Sequence, residues 1–273
     1  MRRTTARVTA LLAAAAGGGL LVGRLLLRRQ ATIARRLIGQ PLGELAPAAD
    51  TLYKKRYGAT LDLLLVGDSI AAGLGAELPP ETLGARLAIR LAKATRRSVR
   101  LRTVARVGSE SSMLADQLAA LPPAYRPDLA VIVVGGNDVT HRVPVAESVR
   151  HLEEAIAALR DRGAEVVVGT CPDLGALRPV PQPLRALAGR ASRQLARAQG
   201  GAAVRAGAHA VSLAHVVGPF FVTNPDEMFS LDRFHPSAAG YRRTAKALLP
   251  SLLAALGLVD GEPFGHRRPQ PVG

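Results

Sequence analysis

Residues Leu61–Gly75 read LDLLLVGDSIAAGLG, and the reading of this stretch decides the fold. Leu63 to Val66 form a short, wholly apolar run of the kind that fills a strand buried on both faces. The run halts at Gly67, and Asp68 and Ser69 follow at once. In an open α/β sheet, ligands bind just beyond the carboxyl ends of the strands. A serine there, at the opening of a helix, stands among backbone N–H groups that can receive an anion. Taken alone, Gly-Asp-Ser is also ordinary turn punctuation, so its meaning depends on the rest of the chain.

Outward from this stretch the same pattern recurs. Val99–Ala105, Leu129–Val134, Val166–Thr170 and Ala208–Leu213 are further strand-like runs. Helical spacing fills the intervals at Glu81–Arg96, Ser112–Ala120, Val145–Arg160 and Leu184–Ala198, and a last helix is expected from His235-Pro236. Pro172 to Pro183, with four prolines, reads as a surface loop. Five buried strands alternating with helices predict an α/β fold, a parallel sheet with helices on both faces. The catalytic-type domain is expected over residues 59–258, preceded by a basic connector (30–58) and followed by a loose tail (259–273).

At 48% hydrophobic and 21% charged residues, the 273-residue chain is globular and long enough for a full core. Aromatic residues make up 3% with no Trp, which leaves little material for stacking on bases or sugars. The lone Cys171 excludes an internal disulfide and a site built on several thiolates. The net charge of +15 is uneven: residues 1–60 carry 11 Lys/Arg against Glu44 and Asp50. Arg86, Arg90, Lys93 and Arg97 recur on one helix face, as a solvated face or as an attraction for anionic lipid or an acidic substrate. No nucleic-acid motif accompanies the charge, so a nucleic-acid partner is not expected.

Residues 1–29 hold an apolar run from Val8 to Gly23 between arginines. This reads as an uncleaved signal-anchor in preference to a secretory signal peptide, because no cleavage site follows the whole run cleanly. A membrane-anchored or secreted protein is therefore expected, with a basic amphipathic arm as the remaining reading.

The polar residues fall at one rim of this sheet. Ser69 follows the first strand, Gly108 the second and Asn137 the third, in GGND; Asp232 and His235 follow the fifth, in LDRFHPS. If the strands are ordered 2-1-3-4-5, the switch point lies between the first and third strands, and Ser69, Gly108 and Asn137 surround it. A serine hydroxyl becomes a nucleophile when an imidazole takes its proton, which suits His235. Asp232 would orient that ring and stabilise the imidazolium. The Ser69 and Gly108 N–H groups and the Asn137 amide would supply an oxyanion hole.

Gly67–Ser69, the Gly108 segment, Gly135–Asp138 and Asp232–His235 together resemble the four blocks of the SGNH (GDSL) hydrolase family of esterases and lipases, in family order, over Leu61 to Leu256. The second block departs from that pattern: Ala105-Arg106-Val107 precede a glycine before which the family often carries Asn. The resemblance implies a three-layer flavodoxin-like fold and ester hydrolysis without metal or cofactor. It also implies Ser69, His235 and Asp232 as catalytic residues, and Ser69, Gly108 and Asn137 as oxyanion donors. The expected substrate is a small-molecule or lipid ester, or acylated cell-envelope material. A polysaccharide O-acetyl esterase and a non-catalytic membrane-bound scaffold are the alternatives. Asp68 and Asp138 are expected to brace their turns, His141 to lie in a surface loop, and Cys171 to be a buried packing residue.

Overall fold

The computed structural model describes residues 21–39, 41, 43 and 45–269. Its strands are β1 (Leu52–Tyr53), β2 (Thr60–Gly67), β3 (Ser98–Thr103), β4 (Leu129–Val133), β5 (Glu165–Gly169), β6 (His209–Val211) and β7 (His266–Arg267). They form one sheet of order β1-β3-β2-β4-β5-β6-β7. The inner five pair in parallel in the order expected from the sequence. The sheet differs from the expectation in having seven strands, because β1 and β7 add to its edges antiparallel. These two lie in the stretches read as connector and tail. At two residues each they are too short for any alternation of side chains to show, and they cover what would otherwise be open parallel edges.

The helices are α1 (residues 21–38), α2 (Ser69–Ala72), α3 (Leu83–Thr95), α4 (Leu114–Ala119), α5 (Gly136–His141), α6 (Val145–Asp161), α7 (Leu184–Arg205), α8 (Leu213–Val216), α9 (Gly218–Thr223), α10 (Pro225–Met228) and α11 (Ala238–Ala255). Strand alternation sorts them into two layers. Leu61, Leu63 and Leu65 of β2 join a core with Leu87 and Leu91 of α3 and Leu248 and Leu252 of α11. Leu64 and Val66 point the other way, onto Leu114 and Leu118 of α4 and Leu152 and Ile156 of α6. A strand with a layer on each face has no polar side, which is why the runs are unbroken. Each such side chain contributes about 1.5–3 kcal/mol through burial.

The last helix begins after Ser237, not at His235-Pro236. The Ser237 hydroxyl caps it, accepting from the Ala239 and Gly240 N–H groups at 3.2 Å. Pro236 is instead bridged to Phe229, and the His235 carbonyl accepts from the Ser230 N–H. His235 thus belongs to a tight loop that faces β2. The run expected as signal-anchor or signal peptide lies chiefly in residues 1–20, outside the described residues. Among the described residues, no helix is long and apolar enough to cross a membrane.

Candidate active site

β2 must end hard against β4. Gly67 has φ +135°, and a Cβ there would lie 1.9 Å from the Val133 carbonyl oxygen, so only glycine lets the chain turn at this point. Asp68 then caps α2, its carboxylate accepting from the Ile70 N–H at 2.9 Å. Ser69 is the first residue of the helix, with its hydroxyl at the sheet rim.

The loop between α10 and α11 brings the other two predicted catalytic residues to it. His235 Nε2 lies 3.0 Å from Ser69 Oγ, and His235 Nδ1 lies 2.5 Å from Asp232 Oδ2. Asp232 Oδ1 also accepts from the Ser230 hydroxyl and from the Phe234 and His235 N–H groups at 2.8–2.9 Å. Burial raises the Asp232 pKa, but the bonds from the His235 ring and the two N–H groups outweigh it and bring the carboxyl down to about 2. A carboxylate at Asp232 holds the proton on Nδ1, leaving Nε2 free to accept from the Ser69 hydroxyl. The loop is pressed onto the serine segment: Gly75 has φ +106°, and a Cβ there would meet the Pro236 carbonyl oxygen at 2.4 Å. Behind it the fully buried Tyr241 hydroxyl donates to the Leu74 carbonyl at 2.6 Å.

The predicted oxyanion donors are assembled differently. Asn137 stands in the first turn of α5, and its side-chain amide donates to the Ser109 carbonyl at 2.9 Å. One amide hydrogen remains for a ligand. Asn137 and Ser69 both line the pocket, whereas Gly108 is not among its lining residues. Gly108 sits at φ +82° in an exposed turn, one residue from the Asn137 contact. Among the described residues, neither the Ser69 nor the Gly108 N–H has a protein acceptor.

Three buried polar residues hold this side together: Gln117 and Gln199, which sequence reasoning did not single out, and Asp138, expected only to brace its own turn. Gln117 donates to the Gly67 carbonyl and the Ser109 hydroxyl and accepts from the Gly67 N–H, at 2.8–3.0 Å. Asp138 accepts from the Ser111 N–H and, at 2.6 Å, from the Ser148 hydroxyl. Gln199 bridges the ends of β4 and β5, donating to the Val134 carbonyl and accepting from the Cys171 N–H. Gln117 was visible as a polar residue on the apolar face of its helix, between Leu114 and Leu118.

Asp68 is buried beside Asp138 and the His235 ring. Burial raises its carboxyl to about 6 against the bond from Ile70, with Asp138 adding to the rise. Cys171 is fully buried against Leu195 and Ala196, and desolvation followed by the charges of Asp68, Asp138 and Asp173 raises its thiol well above the ordinary range. Packing is its role, not nucleophilic attack. His141 is exposed and pairs with Glu110 at 2.6 Å. Among the described residues no three His, Cys, Asp or Glu side chains converge as metal ligands.

Beside Ser69 opens a cleft. Asp68, Ser69, Asn137 and His235 line it together with Leu174, Leu177, Leu213, Phe221, Phe229 and Phe234. Three of the chain's five phenylalanines thus line the cleft, where an apolar chain would lie.

The sequence profile of the GDSL-like Lipase/Acylhydrolase family matches residues 65–243. The GDSL-like esterase Rv1075c of Mycobacterium tuberculosis is 40% identical over 269 residues, covering 93% of this chain and 84% of the relative. Among solved structures, TesA superposes with a TM-score of 0.57 at 28% identity, covering 71% of this chain and 99% of TesA. Axe2, an acetyl xylan esterase from Geobacillus stearothermophilus, superposes with a TM-score of 0.52 at 20% identity, covering 76% of this chain and 99% of Axe2, and shares the fold.

Proposed function

Because the chain belongs to the GDSL-like lipase/acylhydrolase family, whose members are hydrolases acting on ester bonds, we propose that it is a serine esterase working through an acyl-Ser69 intermediate on a lipid or acylated cell-envelope ester. One observation carries the reading: the Ser69–His235–Asp232 chain of contacts, 3.0 and 2.5 Å long, opens through Ser69 and His235 onto a cleft whose lining is mainly apolar.

In the first half-reaction Ser69 Oγ attacks the ester carbonyl carbon while His235 Nε2 takes the hydroxyl proton. Asp232 keeps the ring in the right tautomer and stabilises the imidazolium that forms. The carbonyl oxygen becomes an oxyanion facing the Ser69 N–H and the free Asn137 amide hydrogen, with the Gly108 N–H as third donor. Collapse breaks the bond to the alcohol, which leaves with the proton from His235. Water then attacks the acyl-Ser69 carbonyl, giving its proton to His235, and collapse restores the serine hydroxyl and releases the acid. Asp68, once ionised, adds a second negative charge near the imidazolium.

The lipid-type substrate rests on the apolar lining, and the envelope location on the Val8–Gly23 run and the basic charge of residues 1–60, which favour an exported or membrane-anchored enzyme. The test is labelling of the full chain by a fluorophosphonate probe, with p-nitrophenyl acetate, butyrate and octanoate turnover in the same samples. The expected result is labelling that Ser69→Ala abolishes, and a lower KM for octanoate than for acetate. A folded protein with neither labelling nor turnover would overturn the esterase reading in favour of a scaffold. Turnover of acetate alone would overturn the lipid substrate in favour of an O-acetyl ester.

A further inference from the structure

The helix α1 lies wholly before residue 65, where the family match begins, yet it packs behind the wall of the cleft. Ala34 on its inner face is buried in a cluster of its own with Leu174, Leu177 and Val180, against which Phe229 and Phe234 also pack. This cluster is separate from the two central cores, and four of its members, Leu174, Leu177, Phe229 and Phe234, line the cleft. One turn earlier the buried Gln30 clasps the start of α7. Its amide donates to the Gln182 carbonyl and accepts from the Leu184 N–H at 3.1 Å. Leu174 and Leu177 of that wall come from the proline-rich segment between β5 and α7, which contains a single short helical turn at Leu174–Ala176. A wall so poor in regular backbone structure depends on what is packed behind it.

We propose that residues 21–38 act as a strap that fixes the apolar wall of the cleft and thereby sets the enzyme's preference for acyl-chain length, with Gln30 and Ala34 as its anchoring residues. The proposal rests on the esterase reading above. Neither residue lines the cleft, so both act by positioning Leu174 and Leu177. Freeing the wall removes contacts that only a long acyl chain makes, while an acetyl group, held next to Ser69, does not reach it.

The test uses the full chain with Ala34→Asp, which places a charge in the cluster, and Gln30→Ala, which removes only the clasp. KM and kcat are compared for p-nitrophenyl acetate and octanoate, with active sites counted by fluorophosphonate labelling. In Ala34→Asp the octanoate KM is expected to rise about tenfold, equivalent to roughly two methylenes losing the wall, with a rise of a few-fold in Gln30→Ala. Acetate kcat/KM per labelled site stays within about twofold. Equal losses on both esters, or no change on either, would overturn the strap. If Ala34→Asp is not labelled, it has failed to fold and Gln30→Ala decides alone. A wild-type chain without Ser69-dependent turnover is a separate outcome: it sinks the esterase reading, and the strap with it.

Discussion

Asp232 and His235 are held by their own loop, whereas Asn137 and the turn at Gly108 are held by side chains from elsewhere in the fold. All four bonds to the Asp232 carboxylate come from Ser230, Phe234 and His235, within three positions of it. The oxyanion side is tied together by Gln117 from α4, Asp138 from α5 and Ser148 from α6. A local arm is ordered as soon as its loop closes. An assembled arm is ordered only when the helix layer has packed, and it leaves buried polar groups unpaired if any member is lost, at about 1–3 kcal/mol each. The two arms therefore differ in how they fail. Damage to the first removes chemistry, and damage to the second also removes stability.

Breaking the acid–base arm has the largest expected effect. Ser69→Ala and His235→Ala each lower kcat for p-nitrophenyl butyrate by at least about 10,000-fold, and the double variant is no worse than either single one. Steady-state rates measured with trace-contaminant controls check both statements. Losses that multiply in the double variant would mean that the two residues do not act as a unit.

Breaking the oxyanion arm at Asn137 comes next. Asn137→Ala removes the free amide hydrogen, and kcat falls about 100- to 1,000-fold with KM little changed, because the charge it meets develops only in the transition state. Gln117 still holds the Ser109 hydroxyl in this variant. The unfolding midpoint in urea is therefore expected to move far less than the rate. A rise in KM at constant kcat would instead make Asn137 a ground-state binding residue.

The same division governs what was legible in the sequence. The five apolar runs gave the parallel sheet because strands buried on both faces cannot hide their composition. Asp232 and His235 were legible because a three-residue spacing is a local pattern and the loop that realises it is equally local. Gly108, expected beside Ser69 and Asn137 at the crevice, stands in an exposed turn that does not line the cleft, since the reach of such a turn depends on packing that no spacing encodes. For Gln117 and Ser148, a polar residue on the apolar face of a helix shows that it is buried but not which partner it meets, and those partners are 50 and 10 positions away. The short strands β1 and β7 carry too few residues to print a period. The contact of α1 with the cleft wall spans about 150 positions and was equally invisible.

Asp68 stands where the two arms meet, and it offers the finest probe of the comparison. Its carboxyl titrates at about 6 in the folded protein against 3.8 as its ordinary value, with burial as the main cause. The folded state then holds this proton over a range in which the unfolded chain has released it, so the Asp68 contribution to stability is full below about pH 4 and is lost as pH rises through about 6. The loss amounts to up to about 3 kcal/mol. Asp232 works in the opposite sense and in a different window: its lowered carboxyl adds stability as pH rises from about 2 towards 3.8, and that gain is complete before the Asp68 loss is half done. Asp68→Asn isolates the term. The asparagine oxygen can still cap Ile70, while its amide nitrogen turns a donor towards the Gly136 N–H, a penalty that does not vary with pH. Urea unfolding of both proteins from pH 4.5 to 7.5 should therefore show the variant gaining on the wild type across the series, whatever their offset at the acid end. Parallel curves would mean that the Asp68 carboxyl is ionised throughout that range and that burial does not hold its proton.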